Sequence, residues 1–457
     1  MKLEMKSITR IIVLLICPFL FVSSSKSQQN IKTVTGNYLP VDVNYNIESL
    51  KKLLINTEVV LSDVSAFLKE DPANKYSMQF YTRSGFAFPE KQWIEALNKY
   101  ANDSVKKQRC VKLVEDLEMK LSIFEQNVVP IWKSFLPETE HTRIKSSVYF
   151  TAFTSFDAIN IHDNIVINAL NPKFKTNVDY LLNALTHELF HSGYFSCSPY
   201  LEEPLLEQKI YYVLETLHNE GLTTHVTVQA SELYPSPDIV EYKILEDKSQ
   251  VNKMRHNLNI FFSQIDSMTS DEVLKEAWIL GVQQRAFYVV GAEMAHKIEV
   301  EKGREFLAET VAKGPIYFYE LYNSIAKEDE KLYLFDFSNH LSPANELHLA
   351  ISTNNTAGID RVKNKILASK ETISQTELEV FYRLGYRLLR GHKQLDNAEI
   401  VFKLLLDLAD NPSFAYAYLG EIEIERGNLV QAKEYLSESL KLDEYNPLAL
   451  KLLDSIN

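Results

Sequence analysis

The residues best suited to chemistry are His187, Glu188 and His191, in the run His187-Glu188-Leu189-Phe190-His191. Residues four apart share one face of a helix. His187 and His191 can therefore turn two imidazole nitrogens toward one ion, with Glu188 projecting beside them. Two neutral nitrogen donors, an open coordination position and a carboxylate able to take a proton are what a hydrolytic zinc centre needs.

The flanking residues favour a helix. Thr176 and Asn177 are candidate N-caps, and Asp179 places a carboxylate in the first turn. Leu181, Leu182, Ala184, Leu185, Leu189 and Phe190 make the segment apolar nearly all round, which implies burial. Gly193 reads as the stop. Immediately upstream, residues 147–169 are rich in β-branched and aromatic side chains, with Asp163-Asn164 as a turn. A small sheet is expected there. It is either structural or an edge for pairing with an extended peptide.

Two histidines need a third ligand. Downstream, residues 206–230 read as a second long helix carrying Glu215, His218, Glu220 and His225. Its segment His218-Asn219-Glu220-Gly221-Leu222 resembles the segment that carries the third zinc ligand in the glutamate zincins, the group of thermolysin and aminopeptidase N. The resemblance implies that Glu220 is that ligand. Glu215 is the other candidate, and His218 and His225 read as surface or supporting residues. Gly221, without a side chain, allows close approach of two buried helices. The spacing departs from the aminopeptidase pattern: 28 residues separate His191 from Glu220, where 18 are usual. A Pro-bounded loop near 197–205 can absorb the difference.

Tyr288-Val289-Val290-Gly291 is similar to the zincin segment whose tyrosine hydrogen-bonds the oxyanion of the tetrahedral intermediate. A phenol suits that role, because it donates strongly while staying neutral. The resemblance covers about residues 147–325 and extends to uncharacterised bacterial zinc-dependent peptidases. It lacks the Gly-x-Met-Glu-Asn motif with which the aminopeptidases hold a free amino terminus.

The chain has 457 residues, is 46% hydrophobic and 24% charged, and has only 13 glycines, which favours a helical, soluble, multidomain protein. Lys2, Lys6 and Arg10 precede an apolar run, Ile11 to Val22, too short to span a bilayer comfortably. Residues 1–27 therefore read as a signal peptide cleaved after Ser27. The expected location is secreted or periplasmic, with no membrane span left after cleavage. The net charge of −13 becomes about −16 on cleavage, which argues against nucleic acid and anionic membranes as partners. Cys110 and Cys197 then remain, enough for one disulfide.

Residues 28–45 read as a loose lead-in and Ile47 to Leu136 as helical, interrupted at Ser84-Gly85 and Pro89. Residues 352–358 are small and polar and mark a boundary. Beyond it, Leu384-Gly385 recurs as Leu419-Gly420, Ala398 as Ala432, Phe402 as Leu436, and Asn411-Pro412 as Asn446-Pro447. This internal period resembles tetratricopeptide repeats, which are helix-turn-helix units of about 34 residues. Such repeats either pack on the rest of the chain or bind a protein partner.

The expected architecture is α+β and predominantly helical: a signal peptide (1–27), a helical region (28–146), a zincin-like domain (147–350) with a small sheet before the His187 helix, and a helical repeat region (351–457). The expected activity is peptide-bond hydrolysis on a peptide or protein substrate. Zn2+ would be held by His187, His191 and Glu220, with Glu188 as general base and Tyr288 at the oxyanion. The competing readings are a binding protein working through its C-terminal repeats, and a zinc hydrolase of a non-peptide bond.

Overall fold

The computed structural model describes residues 41–456 apart from 84–86, 138–143, 154–155, 162–163, 175–176, 199–208, 338–342, 353–355 and 392–393. The expected signal peptide, Ser84-Gly85, Asp163 and the loop around Pro199 and Pro204 lie outside the described residues.

The protein is α+β and predominantly helical, with one four-stranded sheet. The strands are β1 (Val41–Asn46), β2 (Ile144–Thr151), β3 (Ala158–Ile161) and β4 (Asn164–Asn168), in the order β1-β2-β4-β3. β2 runs parallel to β1 and to β4, while β3 runs antiparallel to β4 and forms an edge. Alternation splits the sheet between two cores. Val148, Phe150, Ile165 and Ile167 enter the main core. Ile159 and Val166 face Ala73, with Tyr76, Phe80 and Tyr149 packed around them.

β1 corrects the last part, residues 41–45, of the expected loose lead-in, whose residues 28–40 lie outside the described residues. Val41, Val43 and Tyr45 alternate with polar residues, as a strand requires. Its partner β2 begins about a hundred residues later, so no local hairpin signal marks it. The crossover from β1 to β2 contains short helices and the long helix α1 (Ser104–Lys133). The main core accordingly runs from Val41 to Leu332 as one body.

α2 (Val178–Cys197) packs on the sheet, and α3 (Lys209–Ala230), α4 (Ala286–Lys302), α5 (Arg304–Lys313) and α6 (Pro315–Ile325) follow it in the same core. Asn177 caps α2 by accepting from the Asp179 amide at 2.9 Å. Gly193 does not end α2, which continues to Cys197. A Cβ at Gly193 would lie 2.7 Å from the Leu136 side chain, so this glycine serves packing against the end of the preceding helical region.

A second core runs from Ala344 to Ile422. It includes α7 (Gln375–Tyr386), α8 (Leu395–Leu408) and α9 (Ser413–Glu425), followed by α10 (Leu429–Leu442) and α11 (Pro447–Ile456). The sequence period is visible in the packing. A Cβ at Gly385 would meet the Phe402 ring at 2.7 Å, and one at Gly420 would meet Leu436 at 2.7 Å. Asn411 and Asn446 each accept a backbone N–H two residues on, at 3.2 and 3.1 Å. Cys110 and Cys197, the pair for which the sequence left a disulfide open, are both buried and free. Among the described residues, no helix is long and apolar enough to cross a membrane.

Candidate metal centre

α2 and α3 pack face to face within the main core, and their facing side chains make the site. His187 and His191 stand one turn apart, and their Nε2 atoms are 3.0 Å from each other. Glu220, from α3, places Oε2 3.4 Å from His187 Nε2 and 3.5 Å from His191 Nε2. Four-coordinate zinc, with ligand distances of about 2.0–2.1 Å, sets neighbouring ligand atoms roughly 3.3 Å apart. The observed triangle matches that spacing. Glu220 Oε2 is buried and has no hydrogen-bond partner among the described residues. A carboxylate oxygen left so beside two imidazole nitrogens suits a shared cation. Among the described residues, His187, His191 and Glu220 are the group able to hold a metal ion in this way.

Electrostatics point the same way. Burial disfavours charge on His191, but Glu220, Glu188 and the bond to Asn219 together outweigh it and raise the imidazole to about 9. Burial likewise opposes charge on Glu220, yet His191 and His187 hold its carboxyl below the usual carboxylate range. The pocket stabilises a positive charge at the centre of the triangle.

The surrounding residues fix the rings. His191 Nδ1–H donates to Asn219 Oδ1 at 2.9 Å, with Thr223 Oγ1 at 3.1 Å. That bond keeps a proton on Nδ1 and turns Nε2 to the triangle, where a bound metal would take the place of the Nε2 proton. Asn219 lies in the segment that the sequence marks around Glu220, but the sequence assigns it no role as the acceptor for a ligating histidine. Glu188 is half-buried beside the triangle. Burial raises its carboxyl, His187 and His191 draw it back, and Glu220 and Asp157 push it further up. Asn160 of the edge strand β3 donates to the Glu188 carbonyl at 3.3 Å and to Ser192 Oγ at 3.0 Å, tying β3 to α2.

Tyr288, in the first turn of α4, stacks on His187 with ring centroids 6.2 Å apart and planes 14° from parallel. The Arg285 guanidinium lies 3.3 Å from the Tyr288 ring centroid. Arg285 holds a left-handed backbone conformation (φ 65°) and pairs with Glu241. Burial keeps the Tyr288 phenol well above its ordinary value, so it is a neutral donor.

Gly221 and Gly291 explain how Glu220 and Tyr288 reach the same place. A Cβ at Gly221 would lie 2.3 Å from Gly291 Cα, and one at Gly291 would lie 2.4 Å from the Leu217 carbonyl oxygen. The helix that Gly221 lets close is therefore α4, which carries Tyr288, rather than α2. The two segments noted in the sequence meet at their glycines.

Other candidates stand apart. Glu215 is buried, and its carboxyl is raised to about 8 by burial. It is not a member of the triangle. His218 is a core residue, bonded to Tyr194 OH and Thr310 Oγ1 at 3.0 Å each and stacked on Phe318. Burial lowers it to about 3, so it is neutral. His225 is also buried, paired with Glu299 at 2.6 Å. Neither is the surface histidine that the sequence suggested as one option.

No curated protein and no solved structure matches the chain. A family model described as "Putative zinc dependent peptidase (DUF5700)" matches residues 61–331, the span that contains β2–β4 and α2–α6. With more than half of its length matched, and a two-histidine, one-glutamate group at the heart of the matched span, the chain belongs to this family of zinc-dependent peptidases.

Proposed function

We propose that this protein hydrolyses peptide bonds, with His187, His191 and Glu220 holding zinc in a glutamate-zincin arrangement. The observation that carries the reading is the buried Glu220 Oε2, without a hydrogen bond among the described residues and facing two imidazole nitrogens at 3.4 and 3.5 Å. Zinc, when bound, supplies a Lewis acid that polarises the scissile carbonyl and makes a water acidic near neutral pH.

The chain's own residues do the rest. Glu188 takes the proton of the attacking water on a carboxylate oxygen and hands it to the leaving amine. Its raised carboxyl suits carrying that proton between the two steps. Tyr288 donates its O–H to the oxyanion, and stacking between His187 and Arg285 aims it. Asn219 keeps His191 in the required tautomer. β3, an edge strand among the described residues, borders α2 at Glu188, where an extended peptide can add as a further strand. The C-terminal helices, with Gly385 and Gly420 in matching contacts, are tetratricopeptide-like units. The protein acts outside the cytoplasm after removal of residues 1–27.

The test uses residues 28–457, a fluorogenic peptide library, matched esters and metal analysis. Glu188→Gln is expected to keep one equivalent of zinc while turnover falls about 10²–10⁴-fold. Full hydrolysis by Glu188→Gln would remove the general-base assignment. Cleavage of esters but no peptides would move the reaction to another bond.

A further inference from the structure

The second core lies outside the span shared with the family, yet it reaches the metal helix. After α7 the chain widens into a π-helical turn, Arg387–Gly391. There the Arg387 Nη2 donates to the Phe195 carbonyl at 2.9 Å. Phe195 lies in the last turn of α2, four residues after His191, and its ring stacks on the His191 ring at 6.4 Å and 29°. Carbonyls of a last helical turn have no partner further along the helix and carry the negative end of its dipole. A guanidinium placed there supplies both a donor and the opposite charge.

α3 supports the same histidine through its own side chains. Glu215, Asn219 and Thr223 fall on one stripe, at intervals of four. Asn219 and Thr223 touch His191 Nδ1. Glu215, one turn earlier, is 1% exposed, and its oxygens have no hydrogen-bond partner among the described residues. The Arg387 charge acts weakly on Glu215 and also on Cys197, at the end of α2. One side chain of the C-terminal region thus engages the last turn of α2, whose Phe195 ring stacks on His191.

We propose that Arg387 is a positioning residue for the metal centre: by binding the Phe195 carbonyl from the C-terminal helical region, it fixes the last turn of α2 and the orientation of the His191 ring. The proposal rests on the reading of His191 as a zinc ligand. It also gives the C-terminal helices a part in the reaction, because the matched span alone lacks this donor. Arg390, in the same turn, supplies the control. It binds Glu421 through two 2.7 Å bonds and stays within the repeats.

The experiment measures zinc affinity of residues 28–457 by competition with a chromophoric chelator, together with thermal melting. Arg387→Ala is expected to weaken zinc binding tenfold or more, the size of effect typical of residues that support metal ligands. Arg387→Lys should recover part of the loss, since an ammonium can still donate one bond to the carbonyl. Arg390→Ala should melt earlier but bind zinc as wild type does. Wild-type zinc affinity in folded Arg387→Ala overturns the proposal. So does an equal loss in Arg390→Ala, which would make the effect one of general disruption. If Arg387→Ala does not fold, Arg387→Gln is read by the same two criteria. A wild-type protein that binds no zinc fails at the earlier step and overturns the zinc reading itself.

Discussion

α3 carries two histidine–carboxylate sites of opposite character. Near its C-terminal end, His225 Nε2 meets Glu299 Oε2 at 2.6 Å, and Gln229 Nε2 donates to the same oxygen at 3.0 Å. Arg304 Nε donates to the other oxygen at 2.6 Å. Arg304 also binds Gln229 Oε1 at 2.9 Å and stacks on Phe135. Every polar group in this cluster has a partner, and the hydrogen bond from His225 leads in drawing Glu299 down to about 2. At the other site Glu220 faces two nitrogens and hydrogen-bonds neither. The residue types match, but the bonding does not. A buried carboxylate without a donor needs either a positive charge beside it or its own proton: Glu215 takes the second course, its carboxyl raised to about 8, whereas Glu220 is held in the charged form by two imidazoles, as a metal ligand must be.

Deleting one histidine at each site gives the largest contrast. His191→Ala is expected to lower zinc from one equivalent to none and to abolish hydrolysis. His225→Ala should keep the full equivalent and lose about 1.5–3 kcal/mol of stability, the usual worth of a hydrogen bond to a charged group. Elemental analysis and denaturant unfolding read both. Zinc lost from a folded His225→Ala protein would erase the distinction between the sites.

Next in size is Asn219→Ala. Without the acceptor, His191 can turn or change tautomer, so zinc affinity is expected to fall about 10–100-fold with the ligands intact. Gln229→Ala, the amide of the satisfied site, should leave zinc affinity unchanged. Chelator competition on the two variants decides, and equal affinities would deny Asn219 its orienting role.

These contrasts also show what the sequence makes legible. His187 and His191 announce their shared face because four residues make about one turn of a single helix. Glu220 needed a resemblance, since its partners lie on another helix and 28 residues separate it from His191. Asn219 stands in the same segment, yet its support of His191 is not readable there. Whether a polar residue supports a ligand depends on which neighbour α2 presents, and no spacing within α3 encodes that. β1 was hidden because a parallel strand pairs with a distant segment. Gly193 misled because a glycine that relieves packing looks the same in sequence as one that ends a helix. Arg387 has no local signal at all: its meaning lies in a carbonyl 192 residues away.

Glu215 offers the finest test, with no change in zinc stoichiometry expected. Burial raises its carboxyl to about 8 in the folded protein, from 4.5 in an unperturbed chain. Below about pH 4.5 both states hold the proton and Glu215 contributes no pH dependence. Between 4.5 and 8 the unfolded chain ionises while the folded protein keeps its proton, so stability falls as pH rises. The slope from this group is at most about 1.4 kcal/mol per pH unit. Glu215→Gln cannot ionise and escapes that fall. Its stability relative to wild type is therefore expected to climb from pH 5 to pH 8, measured by urea unfolding of zinc-free protein. A constant difference would mean that Glu215 is already ionised in the folded state and paired with Arg387. Glu215 would then belong with Glu299 among the satisfied carboxylates, and Glu220 alone of the three would be left for the metal.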